Sequence, residues 1–251
     1  MLFLLRMLLM GLHFMLAGVL GVLVGLCRPF NPDNSRPCAR LYALPAMWIL
    51  RLNVKADVDS LRSKPGTCVI IANHQSNYDL FVFGNVVPYR TVCIGKKSLK
   101  WVPLFGQLFW LAGNVLIDRG NAHKARRSML TTTHTLQHKD TSIWVFAEGT
   151  RNFGETLLPF KKGAFQMAIA AGVPIVQVCV STYVKHMKLN RWDSGDILIR
   201  SLPPIPTTGL TLDDMPRLME TCRQQMRECI EAVDRELEIV PCRNELAREG
   251  R

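Results

Sequence analysis

The sequence CVIIANHQSNYD, residues 68–79, joins an apolar run to a short polar segment. A run such as 68–72 is typical of a buried strand. Ser76 and Asn77 are good N-cap residues, so a helix is expected to begin near Tyr78. The stretch therefore predicts a strand, a turn and a helix start, with an imidazole and a carboxylate close to the turn.

His74 and Asp79 are the two residues of this stretch that could carry chemistry. On one regular helix a separation of five positions turns two side chains about 140° away from each other. They can meet only if His74 lies in the turn before the helix and Asp79 lies in its first turn. An imidazole oriented by a carboxylate can act as a general base near neutral pH. The alternative is a polar turn with a capping aspartate, because an H-x4-D pattern alone is common.

Other catalytic devices are not recognisable in the chain. There is no Gly-x-Ser-x-Gly segment, and no serine or cysteine stands in a recognisable nucleophile frame beside His74. The eight cysteines include no Cys-x2-Cys pair, so a zinc site is not expected. The simplest chemistry is direct: His74 takes a proton from a substrate hydroxyl, which attacks an activated acyl group.

Short apolar runs alternate with longer helical patterns along the rest of the chain. This alternation predicts an α/β fold, a sheet with helices packed on it. The predicted strands are 67–72, 91–95, 114–117, 142–146, 174–181 and 196–200, and the predicted helices are 78–86, 121–138, 161–171 and 213–238. Apolar residues recur at helical spacing through the last helix, so one of its faces is expected to be buried.

Several further motifs follow in a fixed order: GKKSL at 95–99, GNVLIDR at 113–119, FAEGTR at 146–151, PFKKGAF at 159–165 and VPIV at 173–176. Together with residues 73–79, they resemble the glycerolipid acyltransferase family of the bacterial PlsC type. The resemblance runs from the apolar N-terminus to about residue 200. Two positions depart from the family pattern: Ala147 stands where proline is usual, and Asn152 stands where serine is usual.

The resemblance implies a membrane-bound enzyme with a glycerolipid acyltransferase-like αβ domain and an N-terminal membrane-embedded helical segment. It would move a fatty acyl group from acyl-CoA or acyl-carrier protein to the sn-2 hydroxyl of lysophosphatidic acid, 1-acyl-sn-glycerol-3-phosphate, and give phosphatidic acid. His74 would be the general base and Asp79 would orient it. The family resemblance implies no acyl-enzyme, no metal and no cofactor beyond the acyl-donor co-substrate.

The resemblance also implies the residues that bind the substrate. Arginine suits a phosphate because its planar fork donates two aligned hydrogen bonds. The expected phosphate and glycerol contacts are Lys96, Arg119, Glu148, Gly149, Thr150, Arg151 and Lys161. Lys97 and Lys162 are adjacent and could exchange roles with Lys96 and Lys161, and a purely structural role for Glu148 is a fair alternative.

Charge and hydropathy point to a membrane partner. The chain has 251 residues and a formal net charge of +11, which favours anionic partners. No helix-turn-helix, zinc-finger or RNP-like motif supports a nucleic-acid partner. Residues 7–26 are almost wholly apolar, about the length that crosses a bilayer. A retained anchor is favoured over a cleaved signal peptide, because the apolar region is long for a signal.

Five basic residues follow the apolar segment within 28–55, whereas Arg6 alone precedes it. This bias predicts that the catalytic domain faces the cytoplasm from the membrane, the inner membrane of a bacterium. A second amphipathic stretch, 42–52, could lie in the membrane interface, so one spanning helix and two helices in a single leaflet both stay open. The expected divisions are membrane-anchoring helices at 1–55, an acyltransferase domain at 56–240 and a polar tail at 241–251.

Two other functions are compatible with part of this pattern. An acyltransferase for another lysophospholipid, such as lysophosphatidylglycerol, would use the same catalytic pair. A non-catalytic adaptor that binds anionic lipid would need the basic charges and would not need His74.

Overall fold

The structure is a computed structural model, and it describes residues 1–63, 66–118, 132–133 and 140–239. Its strands are β1 Leu52–Asp57, β2 Val69–Ala72, β3 Thr91–Lys96, β4 Val115–Ile117, β5 Ser142–Phe146, β6 Ile175–Val180 and β7 Gly195–Ser201. Its helices are α1 Leu2–Cys27, α2 Ser35–Leu50, α3 Asp59–Arg62, α4 Asp79–Phe83, α5 Phe105–Leu111, α6 Gly163–Ala171, α7 Tyr183–His186 and α8 Met215–Ile239, with 3₁₀ turns at Pro32–Asn34 and Lys97–Trp101.

The strands of the described residues form one sheet in the order β1-β7-β6-β2-β5-β3-β4. Neighbouring strands are parallel except β6 and β7, which are antiparallel. Strands β2 to β6 therefore run in one direction. Their last residues lie at one end of the sheet, called the carboxyl end, and their first residues lie at the other, the amino end. In open α/β sheets the carboxyl end is where ligands bind.

Both faces of the sheet are buried, and for this reason its central strands are mostly apolar, with Gln177 as a buried polar residue in β6. Every residue of β2 and β6 is buried. In β2, Ile70 and Ala72 belong to the core beneath α1, α2 and α4, and Val69 and Ile71 belong to the core beneath α6 and α8. The predicted buried face of the last helix is confirmed, since Cys222, Met226, Cys229 and Val233 pack in this second core.

Helix α1 packs one face against the domain and leaves the other exposed. Gly18, Gly21 and Gly25 allow close approach, because a Cβ at these positions would come within 2.6–2.8 Å of Leu104, Leu108 and Leu111. The exposed face is apolar and includes Leu4, Leu8, Leu12, Leu16 and Leu23. Among the described helices, α1 is the one that is long and apolar enough to cross a membrane by length and composition.

The N-terminal end of α1 is fixed by a buried arginine. Arg6 donates hydrogen bonds to the carbonyl oxygens of Leu189, Arg191 and Trp192 at 2.7–2.8 Å and to Ser194 Oγ at 2.7 Å. These acceptors lie in the segment between α7 and β7. Because Arg6 is buried at one end of α1 and the glycines pack near the other, the helix is held against the domain along most of its length.

The predicted α/β arrangement is confirmed, and the six predicted strands are present within a few residues of their expected bounds. Strand β1 was not predicted, because it lies at the sheet margin and most of its residues are exposed. The expected division at residue 55 lies inside this strand, so 1–55 contributes to the sheet as well as to helices α1 and α2. The helix predicted at 78–86 ends at Phe83, the helix predicted at 121–138 lies outside the described residues apart from 132–133, and the predicted tail 241–251 lies wholly outside them.

Candidate active site

His74 and Asp79 meet in the loop that leaves the carboxyl end of β2, called the dyad loop (residues 73–79). His74 Nδ1 lies 2.6 Å from Asp79 Oδ2. Asp79 is the first residue of α4 and His74 lies in the turn before it, which is the arrangement that the five-residue spacing required. The carboxylate accepts, so the neutral imidazole carries its proton on Nδ1 and its lone pair on Nε2.

Asp79 is 1% exposed and accepts several hydrogen bonds in addition to that of His74. The backbone N–H groups of Gln75 and Ser76 donate to Oδ2 at 2.6 and 3.0 Å. Tyr183 Oη donates to Oδ1 at 2.6 Å. Donors of this kind stabilise the charged form of a buried carboxylate and fix its orientation. The negative charge of the pair is therefore held in one place relative to the imidazole.

The His74 ring is fixed on a second side by an aromatic neighbour. It stacks on Phe146 at the end of β5, with 4.0 Å between ring centroids and 15° between the planes. The His74 side chain is 22% exposed, and no described residue makes a hydrogen bond with Nε2. The lone pair that could accept a proton is thus on an open atom of an otherwise immobilised ring.

Glu148 joins the dyad loop to the segment that follows β5. Its Oε1 accepts from the backbone N–H of His74 at 2.9 Å, and its Oε2 accepts from the backbone N–H of Leu158 at 2.9 Å. Asn152 Nδ2 lies within hydrogen-bond distance of both oxygens. Burial raises the pKa of the Glu148 carboxyl, while these hydrogen bonds act in the opposite direction.

These contacts favour the structural alternative for Glu148 over the predicted contact with substrate. A carboxylate has about four acceptor positions, and three donor atoms already surround Glu148, namely the backbone nitrogens of His74 and Leu158 and the side-chain nitrogen of Asn152. The residue is 1% exposed and makes no described contact with Arg151. The predicted bond to a glycerol hydroxyl would have to compete with these donors at a carboxylate that is almost wholly buried.

The predicted phosphate-binding residues 149–151 and Lys161 lie in one segment, called the cation loop (residues 149–161). It is tied to the dyad loop by backbone bonds from Asn152 N to His74 O at 2.8 Å and from Phe153 N to Gln75 O at 3.1 Å. Arg151 is exposed and its Nη1 donates to Asn77 Oδ1 at 2.7 Å. The structure therefore brings Arg151 beside the dyad loop.

Gly149 and Lys161 lie against each other within the cation loop. Gly149 has φ +71°, and a Cβ there would come within 2.9 Å of Lys161 Cγ, so glycine is required for both reasons. Thr150 and Lys161 are exposed. The loop thus places a guanidinium and an ammonium on the solvent side of the site.

The remaining predicted cations are less closely connected to His74 and Asp79. Lys96 is exposed and ends β3 at the carboxyl end of the sheet, and no described hydrogen bond or ion pair joins it to the other candidates. Lys97, the alternative to it, pairs with Asp118 at 3.1 Å. Arg119 lies outside the described residues.

Tyr183 is the main site residue that sequence reasoning missed. It lies in α7, 104 positions after Asp79, and reaches it because β6 is the neighbour of β2 in the sheet. Ser76 Oγ lies 2.9 Å from Tyr183 Oη and accepts from the backbone N–H of Tyr78. Burial, followed by the charge of Asp79, raises the pKa of Tyr183, so its hydroxyl stays a proton donor to the carboxylate.

Comparison with known proteins extends these observations. Residues 54–181 match the family model described as Acyltransferase. The chain is 40% identical over 238 residues to the 1-acyl-sn-glycerol-3-phosphate acyltransferase of Escherichia coli K12, covering 94% of this chain and 96% of that protein. It is 39% identical over 212 residues to the human 1-acyl-sn-glycerol-3-phosphate acyltransferase alpha, covering 83% and 74%.

A solved structure has the same fold. The crystal structure of the 1-acyl-sn-glycerophosphate (LPA) acyltransferase PlsC from Thermotoga maritima superposes with a TM-score of 0.67 at 21% identity, over 94% of this chain and 98% of that one. The predicted fold class is therefore confirmed. With the identities to the bacterial and human enzymes, we conclude that the chain is an acyltransferase enzyme and belongs to the 1-acyl-sn-glycerol-3-phosphate acyltransferase family.

Proposed function

We propose that this enzyme transfers a fatty acyl group from acyl-CoA or acyl-carrier protein to the sn-2 hydroxyl of lysophosphatidic acid, giving phosphatidic acid. The observation that carries the proposal is the 2.6 Å contact between His74 Nδ1 and Asp79 Oδ2, with Nε2 left open. The relatives named for this reaction support the choice of acceptor. The thioester donor is inferred from the family resemblance.

In the proposed reaction, His74 Nε2 accepts the proton of the sn-2 hydroxyl as its oxygen attacks the thioester carbonyl. Asp79 stabilises the imidazolium that forms and keeps its Nδ1 proton in place. The tetrahedral oxyanion then collapses, the carbon–sulfur bond breaks, and the imidazolium returns the proton to the thiolate. The acyl group passes directly to the acceptor without an acyl-enzyme.

We assign recognition of the substrate phosphate to the cation loop. Arg151 can present two parallel N–H donors to phosphate oxygens, and Lys161 adds a point charge beside it. The backbone bonds between the cation loop and the dyad loop support this assignment, because they join the segment that carries these charges to the segment that carries the proposed base. Lys96 and Arg119 remain predicted contributors, and Glu148 is assigned to holding the two loops together.

We propose that α1 is embedded in the cytoplasmic leaflet, with the catalytic domain on the cytoplasmic side. Its outer face is apolar, whereas its inner face is packed on the domain from Arg6 to Gly25. A helix packed along its length on the domain that carries the catalytic pair cannot cross a bilayer without carrying part of that domain with it. Met7 of α1 lies 4.0 Å from the hydroxyl of Tyr78, so the apolar helix adjoins the dyad loop.

The function is tested by measuring phosphatidic acid formation by the purified enzyme in detergent with lysophosphatidic acid and a long-chain acyl-CoA, and then with acyl-carrier protein. A panel of lysophosphatidylglycerol, lysophosphatidylcholine and lysophosphatidylethanolamine serves as the control for the acceptor. We expect the highest kcat/KM with lysophosphatidic acid. Faster acylation of lysophosphatidylglycerol would contradict the proposed acceptor, and lipid binding without turnover of any acceptor would contradict the enzyme mechanism.

A further inference from the structure

A basic cavity lies at the amino end of the sheet, opposite the dyad loop. Its volume is about 410 Å³. It is lined by Arg62 and Gly66 from the segment before β2, by Pro88, Tyr89 and Arg90 from the segment before β3, and by Arg36 and Arg40 from α2. His74 lies two residues after the end of β2, so the length of this strand separates the cavity from the proposed catalytic pair.

The cavity carries more positive than negative charge. Four arginines line it, together with the single carboxylate of Asp140. The Arg90 guanidinium already has partners within the protein, because its Nε donates to the Asp140 carbonyl oxygen at 2.8 Å and its Nη1 lies 3.6 Å from Asp33 Oδ1. Arg62 lies 3.7 Å from Asp59, and both side chains are largely exposed, so this pair is weak.

Arg36 and Arg40 are the two arginines available to a ligand. They are four residues apart on α2 and therefore lie on one face of the helix. Within the described part of the chain, no carboxylate pairs with either of them. Two guanidinium groups on one cavity wall, neither of them paired with a described carboxylate, form a site for an anion.

The environment of Arg36 shows that its guanidinium is held in place. Its Cζ lies 4.2 Å from the centroid of the Tyr89 ring, a cation–π contact that orients the planar group. Its Nε is buried and has no hydrogen-bond partner among the described residues. A buried charged donor without an acceptor is costly, which favours a ligand that supplies one.

We propose that this cavity binds a phosphate group, carried by the headgroup of an anionic phospholipid or free in solution. Phosphate offers planar pairs of oxygens that match the arginine fork. Apolar residues on the walls, Val58, Leu61, Val86 and Val87, suit the carbon atoms of a headgroup. The headgroup is the better supported source, because α2, which carries Arg36 and Arg40, packs against α1, the helix proposed to lie in the membrane. At this contact His13 Nε2 lies 3.0 Å from the Tyr42 carbonyl oxygen.

The proposal is tested by isothermal titration calorimetry of the full chain in a nonionic detergent. The probes are dihexanoyl-phosphatidylglycerol, used below its critical micelle concentration, and inorganic phosphate. All proteins carry Arg151→Gln to weaken binding at the proposed catalytic phosphate site. We expect Arg36→Gln with Arg40→Gln to weaken binding of the lipid by at least about tenfold.

Matched variants separate this site from the general positive charge. Arg217→Gln with Arg235→Gln removes the same charge from exposed positions of α8, on the other face of the sheet, and should change binding less than about twofold. Arg40→Gln alone, at an exposed position, should weaken binding in the same direction if the double variant fails to fold.

The two probes distinguish the two sources of phosphate. Binding of the lipid at least about tenfold tighter than that of inorganic phosphate would assign the site to a headgroup, and equal affinities would assign it to free phosphate. No saturable binding of either probe, or equal losses in the α2 and α8 variants, would overturn the proposal. Because no turnover is measured, the result is independent of the proposed acyl transfer.

Discussion

The dyad loop and the cation loop adjoin each other but are built differently. In the dyad loop, the carboxylate of Asp79 is buried and every contact to it comes from a fixed donor. In the cation loop, Arg151 is exposed and donates to one side chain, that of Asn77. The groups proposed to move the proton are thus held in place before substrate binds, whereas the group proposed to bind the phosphate can adjust to it.

This difference has a physical reason. A general base is effective only if its geometry is set in advance, since reorganisation during the reaction would add to the barrier. A phosphate is bound by charge and two hydrogen bonds, which a flexible arginine can align after contact. Substitutions in the dyad loop should therefore lower kcat, and substitutions in the cation loop should raise KM.

The largest effect is expected from Asp79→Asn. An amide can hold the imidazole in the wrong tautomer and cannot stabilise the imidazolium, so kcat should fall on the order of 10²–10⁴-fold. Steady-state turnover with lysophosphatidic acid measures this, with Asp59→Asn at an exposed position as the control. A near wild-type kcat in Asp79→Asn would contradict the proposed catalytic role of the His74–Asp79 pair.

A smaller effect, and on a different parameter, is expected from Arg151→Gln. Losing a charge-assisted contact of about 1.5–3 kcal/mol should raise the KM for lysophosphatidic acid by roughly 10–100-fold, with kcat changed much less. Arg151→Lys should recover part of the loss, because it keeps the charge but not the fork. The comparison between the loops would break down if kcat fell and KM stayed constant.

Glu148→Gln should act on the connection between the loops. The glutamine amide group would face a backbone N–H of His74 or Leu158, so the free energy of unfolding should fall by about 1–3 kcal/mol. Thermal unfolding in detergent measures this, with Glu155→Gln, an exposed carboxylate of the cation loop, as the control. A rise in KM with unchanged stability would instead indicate the predicted contact of Glu148 with the glycerol.

The smallest of these effects is expected from Tyr183→Phe. One hydrogen bond to the Asp79 carboxylate is lost, but the backbone donors of Gln75 and Ser76 remain, so kcat should fall by roughly 2–10-fold. Steady-state turnover with lysophosphatidic acid measures this. Tyr78→Phe, whose hydroxyl contacts only Met7 among the described residues, should leave kcat close to wild type.

The sequence predicted the parts of this molecule that depend on local pattern. Residues 68–79 contain both the apolar run and the cap residues, so the strand, the turn and the start of α4 followed from them. The same spacing stated the condition under which His74 and Asp79 could meet, and the structure satisfies it. The buried face of α8 followed from helical periodicity, because an apolar stripe that continues through a long helix must be covered by the rest of the protein.

The parts that sequence reasoning missed depend on contacts between distant elements. Tyr183 reaches Asp79 only because β6 lies beside β2, and strand order is not visible in the chain. The hydrogen-bond donors to Glu148 could not be foreseen, because they include a backbone group of a separate loop. The cavity at the amino end was missed for the same reason, since its arginines come from three separate segments.

The central claim, that His74 is the base, is tested most directly by phosphatidic acid formation in His74→Ala beside the wild-type enzyme. His186→Ala, at an exposed position of α7, is the matched control. We predict that kcat falls on the order of 10²–10⁴-fold in His74→Ala, while the folded enzyme retains its thermal stability and His186→Ala stays close to wild type. Wild-type turnover by a folded His74→Ala enzyme would contradict the account.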